Sequence, residues 1–268
     1  MKDPRSPIGV FDSGIGGLTV VHELIRQLPD ESIIYFGDTA RLPYGPKSPE
    51  TVIRYSREIG AWLRAQGVKV IVVACNTATA HALPTLQREY DMPVIGVIGP
   101  GSRAAARATH SGRIGVIGTY GTINSRAYER AITVALPTST IVPQACPLFV
   151  PLVEEGWLDT EATRLIANEY LAPLAGGAVD TIVLGCTHYP LLKRVIGDVV
   201  GSEVRLIDSA EETAAETAKI LRAERLLNVD GRDASHRFIA SDAPEQFLRV
   251  GQRFLGSSID RVETVALG

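Results

Sequence analysis

Nine short runs rich in isoleucine and valine punctuate the chain, and they lack the strict polar alternation of a half-exposed sheet. Runs of that kind predict parallel strands covered on both faces, at 8–11, 32–36, 70–74, 94–97, 114–117, 140–143, 181–184, 204–207 and 237–240. Segments of helical spacing fill the gaps. The clearest follows Gly17, where Leu18, Val21, Leu24, Ile25 and Leu28 recur at three- and four-residue intervals before Pro29 stops the pattern. Strands alternating with helices call for crossover connections and an α/β fold.

An internal echo divides this pattern in two. Ile8-Gly9-Val10-Phe11-Asp12-Ser13-Gly14 is followed later by Ile114-Gly115-Val116-Ile117-Gly118-Thr119-Tyr120-Gly121. Val72-Val73-Ala74-Cys75-Asn76-Thr77 is followed by Val183-Leu184-Gly185-Cys186-Thr187-His188, so each half ends a strand on cysteine at a similar offset. A duplication into two similar lobes is the expectation. Ile98-Gly99-Pro100-Gly101, with its turn and breaker residues, is the natural crossing point. The second lobe then spans 98–208, and the remaining helix, strand and helix are available to rejoin the first.

The charge balance, 27 Lys and Arg against 30 Asp and Glu, gives a net −3 and no field suited to nucleic acid or an anionic membrane. Residues 1–7 are polar and lead straight into the first strand, so no export signal is expected. No uncharged apolar run reaches 18 residues, so no membrane span is expected either. Three cysteines, an odd and small number, fit reduced thiols in the cytoplasm better than a disulfide framework.

Ligands of parallel α/β sheets bind beyond the carboxyl ends of the strands, where helix N-termini present backbone N–H groups. Cys75 and Cys186 both fall there, each followed by polar residues able to bind a substrate or steer a proton. Cys146 reads as a small buried hydrophobe. The first strand ends in Asp12-Ser13-Gly14-Ile15-Gly16-Gly17, a glycine-rich turn suited to close approach by a carboxylate. It is not a dinucleotide fingerprint, because Thr19 stands where the third glycine is required. Gly45-Pro46-Lys47-Ser48 lacks the spacing of a P-loop. Asp12 is open to two readings, a helix cap or a site residue. The loop from Gly37 to Gly45 either walls a pocket or makes an ordinary turn, and Glu154 and Glu155 read as the solvated end of a helix. No metal site is expected, since HExxH and CxxC pairs are absent and Cys186-x-His188 is too tight for structural zinc.

Phe11-Asp12-Ser13-Gly14, Leu42-Pro43-Tyr44-Gly45, Cys75-Asn76-Thr77-Ala78 and Gly185-Cys186-Thr187-His188-Tyr189-Pro190 closely resemble the glutamate racemase family. The order and spacing hold through Gly112-Arg113-Ile114-Gly115, Pro151-Leu152-Val153-Glu154 and Ser241-Asp242-Ala243-Pro244-Glu245, covering nearly the whole chain. The resemblance implies two similar α/β lobes with mostly parallel sheets and flanking helices, 1–97 plus 209–268 and 98–208, with a substrate cleft between them. It implies a cytoplasmic enzyme, a homodimer, that interconverts L- and D-glutamate without a cofactor and supplies D-glutamate for peptidoglycan. The family's substrate contacts fall on Asp12 and Ser13, Tyr44 and Gly45, Asn76 and Thr77, and Thr187 and His188. Cys75 and Cys186 match its acid–base pair, with Asp12, Glu154 and His188 matching residues that assist them.

The chemistry agrees with two thiols. Racemisation takes a proton from one face of an α-carbon and returns one to the other, which two groups on two lobes can do. One thiol must be ionised while its partner stays protonated, and a free thiol, with a pKa of about 8.5, is only a few per cent ionised near neutrality. An aspartate racemase is the nearest rival, one methylene away in substrate. A pyridoxal-dependent racemase would need a Schiff-base lysine, and none of Lys2, Lys47, Lys69, Lys193 and Lys219 stands in a recognisable motif. An amino-acid-binding regulatory module would have no need of paired thiols.

Overall fold

The computed structural model describes residues 3–176, 178–229, 234–256 and 259–267. It consists of two compact units, Met1–Val97 with Ala210–Gly268, and Ile98–Ser209.

The first unit is built from β1 (Ile8–Asp12), α1 (Leu18–Gln27), β2 (Ile33–Gly37), α2 (Pro49–Ala65), β3 (Val70–Val73), α3 (Asn76–Glu89) and β4 (Val94–Gly96). The second contains α4 (Ile98–Ala108), β5 (Arg113–Gly118), α5 (Tyr120–Asn124), α6 (Ala127–Ala135), β6 (Thr140–Ala145), α7 (Phe149–Glu154), α8 (Glu161–Gly176), β7 (Thr181–Gly185), α9 (Lys193–Val200) and β8 (Arg205–Asp208). The chain then returns to the first unit through α10 (Ser209–Ala223), β9 (His236–Ala240), α11 (Pro244–Leu255) and β10 (Val262–Thr264).

Both sheets are parallel throughout, in the orders β10-β9-β2-β1-β3-β4 and β6-β5-β7-β8. The four strands β2-β1-β3-β4 and the four strands β6-β5-β7-β8 repeat one order, and the sequence echo maps β1 onto β5 and β3 onto β7. Helices flank both sheets: α1 packs with α11 and α2 with α3 in one unit, α4 with α6 and α8 with α9 in the other. The fully buried strands β1, β2, β3, β4 and β7 are the ones whose Ile/Val runs carry no alternation. β6 is an edge strand, half exposed, and accommodates Pro143, which has no N–H to give a ladder.

Two elements differ from the sequence expectation. β10 lies at the edge of the larger sheet, and its Val-Glu-Thr sequence carries no apolar run to announce it; the Arg237–Glu263 pair, at 2.8 and 3.0 Å, helps set it beside β9. The Ile98-Gly99-Pro100-Gly101 segment, read from its turn and breaker residues as the crossing point between strand and helix, is itself the first turn of α4. A proline there costs nothing, because first-turn N–H groups have no intrahelical partner.

Close backbone approach explains one glycine at the strand ends. A Cβ on Gly37 would sit 2.2 Å from the Gly14 carbonyl oxygen, so the turn after β1 can pass over the end of β2 only with glycine there. Among the described residues no helix is long and apolar enough to cross a membrane.

Candidate active site

In the first unit the site residues gather at the carboxyl end of β1, β2 and β3. Asp12 closes β1, is buried, and its Oδ2 accepts the Gly17 N–H at 2.9 Å, binding the glycine turn to the start of α1. The helix-cap reading of Asp12 does not hold, since Gly17 is the capping residue of α1; Asp12 instead binds that residue's N–H. Tyr35, beneath this turn, donates its hydroxyl to Gly14 O at 2.9 Å. Burial, with Asp12 and Cys75 nearby, holds that hydroxyl well above its ordinary pKa and keeps it a donor.

Cys75 follows β3 and caps α3, its Sγ accepting the Ala78 N–H at 3.4 Å. The same sulfur donates to Ser13 Oγ at 3.7 Å. The pairing of Phe11 with Val73, continued two residues, sets Ser13 beside Cys75, so the register itself brings hydroxyl and thiol together. A sulfur at a helix N-terminus lies at the positive end of the helix dipole, a setting that favours thiolate. Asn76 and Thr77 form the first turn of α3 and are buried with Cys75.

The loop after β2 is organised by Asp38, a fully buried carboxylate. It accepts from the Tyr44 hydroxyl, from Arg41 Nε at 2.8 and 3.0 Å, and from Ser241 Oγ at 2.9 Å. Arg41 also pairs with Glu58 and lies 4.0 Å over the Tyr55 ring. Burial and the adjacent Asp38 raise the Tyr44 hydroxyl far above its ordinary pKa, so the proton stays on Tyr44 and is donated in a hydrogen bond to Asp38. Tyr44 and Gly45 are therefore held by a network the sequence did not single out. Ser241 follows β9 as Asp38 follows β2, with Ser241 N donating to Gly37 O at 3.0 Å; the strand-end rule applied to the last long strand would have found it.

In the second unit Cys186 follows β7 directly, buried, with Thr187 and His188 next to it. His188 Nδ1 lies 3.9 Å from Cys186 Sγ and 3.4 Å from Thr187 Oγ1, and its Nε2 lies 3.0 Å from Glu154 Oε1. Glu154 ends α7, as expected of a helix end, but its carboxylate is drawn to His188 in place of being a purely solvated charge. Continuing the pairing of Gly118 with Gly185 by one residue sets Thr119 beside Cys186, the counterpart of Ser13 beside Cys75. Thr119 also caps α5, accepting the Thr122 N–H at 3.3 Å. Cys146 is fully buried, and burial pushes its thiol far up in pKa, consistent with an inert side chain.

Burial alone would lower the His188 pKa, but its bonds to Cys186 and Glu154 outweigh that and raise it to about 10. The imidazole is thus a cation at neutral pH, beside one thiol. A His pKa raised on folding stabilises the folded state fully below the unfolded value near 6.5, and that contribution disappears as pH climbs through about 10. The stability gap between the protein and a His188→Asn variant is accordingly expected to narrow steadily from pH 6.5 to 10 in denaturant titrations. A gap constant over that range would mean that His188 gains no proton affinity on folding.

Among the described residues no group of three His, Cys, Asp or Glu side chains is arranged to hold a metal ion. The arrangement offers in each unit one thiol with its own polar support.

Comparison with known proteins places this geometry among relatives. Residues 8–217 match the family model described as Asp/Glu/Hydantoin racemase. A glutamate racemase of Geobacter metallireducens is 57% identical over 264 residues, 98% of each chain. The crystal structure of a glutamate racemase isoform from Bacillus anthracis superposes with a TM-score of 0.95 at 45% identity, covering 98% of both chains. That of a Francisella tularensis glutamate racemase, in complex with D-glutamate, gives 0.93 at 39% identity with the same coverage.

Proposed function

The chain belongs to the Asp/Glu/hydantoin racemase family, as a glutamate racemase, and on that premise we propose that it interconverts L- and D-glutamate with Cys75 and Cys186 as the two acid–base groups at the α-carbon. What carries this is their matched placement: each is a buried thiol directly beyond the strand that pairs with the first strand of its sheet, β3 or β7, with a hydroxyl residue across from it.

From L-glutamate, the Cys186 thiolate takes the α-proton and becomes a thiol, while the Cys75 thiol gives its proton to the opposite face and becomes a thiolate. The D-to-L direction runs the same steps backwards. The two sulfurs have different means of carrying negative charge. Cys75 has the N-terminus of α3 and the Ala78 N–H. Cys186 has the His188 cation, itself backed by Glu154. Asp12 assists on the Cys75 side by fixing the glycine turn that carries Ser13. Ser13, Tyr44, Gly45, Asn76, Thr77, Thr187 and His188, with Asp12, contact the substrate. The substrate carboxylates find backbone N–H donors at the start of α3, and the Asp38–Ser241 network holds the Tyr44-Gly45 segment against them. Such preorganised donors also stabilise the α-carbanion as it develops.

No metal or pyridoxal phosphate takes part. The enzyme works as a homodimer in the cytoplasm, where Cys75, Cys146 and Cys186 stay reduced, and its D-glutamate goes to peptidoglycan synthesis.

Incubation of chelator-treated protein with L-glutamate in D₂O tests this. Optical rotation should decay to zero while deuterium enters the α-position of the product. L-Aspartate should be turned over with kcat/KM lower by about 10-fold or more, the discrimination one methylene commonly supplies. Activity lost to the chelator, or a pyridoxal chromophore needed for turnover, would contradict the cofactor-free mechanism. Equal or better efficiency with aspartate would move the substrate assignment.

A further inference from the structure

Tyr189 and Cys146 are left over by the two-thiol chemistry, yet they meet directly beneath it. The Tyr189 side chain is fully buried, and its hydroxyl donates to the Cys146 carbonyl oxygen at 2.8 Å. That carbonyl belongs to a residue fixed by the sheet, since Cys146 N donates to Gly118 O at 2.8 Å and so extends the β5–β6 ladder. The Tyr189 ring stands edge-on to Phe149, 5.3 Å between centroids at 88°. Phe149 in turn stands edge-on to Tyr170 of α8, 5.4 Å away, and the Tyr170 hydroxyl accepts the Leu148 N–H at 3.3 Å.

Phe149 is the first residue of α7 and Glu154 the last, roughly 7.5 Å further along the axis at 1.5 Å per residue. His188 immediately precedes Tyr189, whose N–H donates to Cys186 O at 3.1 Å. One residue therefore touches the frame of both partners of the imidazole: its ring meets the helix that ends in Glu154, and its N–H closes the turn that starts at Cys186. The Nδ1–Sγ separation of 3.9 Å leaves little room for the ring to move before contact with sulfur is lost.

We infer that Tyr189 is a positioning residue for the Cys186 half of the reaction: its hydroxyl tether to the Cys146 carbonyl and its edge-on packing on Phe149 keep His188 spanning Glu154 and Cys186. This rests on the assignment of Cys186 as the group that exchanges a proton with L-glutamate. The buried hydroxyl also finds in the carbonyl the partner that burial requires. Phenylalanine at 189 would keep the ring packing and release the tether, which makes it the informative change.

The test measures kinetics of Tyr189→Phe with α-deuterated L- and D-glutamate, alongside its thermal unfolding and the Cys186→Ala variant. Misplacement of a catalytic group by a fraction of an ångström predicts a fall in kcat of about tenfold with KM little changed. The isotope effect on kcat/KM should rise for L-glutamate, whose deuteron Cys186 removes. It should fall for D-glutamate, whose deuteron Cys75 removes before the slowed Cys186 step. Should Tyr189→Phe not fold, Phe149→Leu, which keeps the tether and removes the ring edge, is expected to give the same split. Unchanged or mirrored isotope effects in a folded variant, or reduced stability alone, would overturn the positioning role. Racemisation surviving in Cys186→Ala would instead overturn the two-thiol assignment.

Discussion

Replacing Cys75 or Cys186 with alanine is expected to lower racemisation by about 10⁴-fold, the upper range for a positioned acid–base group. Each loss is near-complete because the two groups act in one sequence: a carbanion formed on one face must be protonated on the other. With one sulfur gone the remaining thiol can only return the proton to the face it came from. Serine should be nearly as damaging at either position, since its hydroxyl is far harder to ionise than a thiol. Polarimetry on folded variants checks this, and a variant retaining a tenth of the parental kcat would remove that thiol from the acid–base pair.

A large effect on stability is expected from Lys69→Met. Lys69 and Glu31 are buried to 0% and 2% side-chain exposure and form an ion pair; Lys69 Nζ also donates to Pro4 O, and Glu31 Oε1 accepts the Asn228 N–H at 2.8 Å. The pair thereby ties the segment before β2, the segment before β3, the N-terminal stretch and the chain beyond α10 into one knot of the first unit. Methionine would leave a buried carboxylate without its cation, at a cost of about 3–5 kcal/mol, a large fraction of the stability of an ordinary domain. Urea unfolding should show this loss. The double variant Lys69→Met, Glu31→Leu should lose less than the single one, because the uncompensated charge is gone. A single variant within about 1 kcal/mol of the parent would mean that water or another group solvates Glu31 there.

The sequence was most informative where one physical requirement dominates. Strands buried on both faces need uninterrupted apolar runs, so β1, β3, β5 and β7 could be read directly, and with them the strand-end places of Cys75 and Cys186. The echo between the halves was legible for the same reason, and the repeated strand order gives it a structural counterpart. Elements held by pairing alone were not legible. β10 depends on its neighbour β9 and on Glu263 meeting Arg237, a contact that local sequence does not encode. Side-chain direction was also hidden. Nothing around Tyr44 says that its hydroxyl turns to Asp38, or that Ser241, some 200 residues later, completes that network. Glu154 looked like a solvated helix end because its partner, His188, is 34 residues away and reaches it only through the packing of α7 against the turn at Tyr189.

The most direct test of the two-thiol account is α-proton washout in D₂O by the two single alanine variants, started separately from each enantiomer. A variant that cannot racemise can still remove a proton, exchange it with solvent and restore the same enantiomer with deuterium. Cys75→Ala, which keeps Cys186, should label L-glutamate and leave D-glutamate unlabelled; Cys186→Ala should do the reverse. The same enantiomer preference in both variants would contradict the assignment of one thiol to each face of the α-carbon.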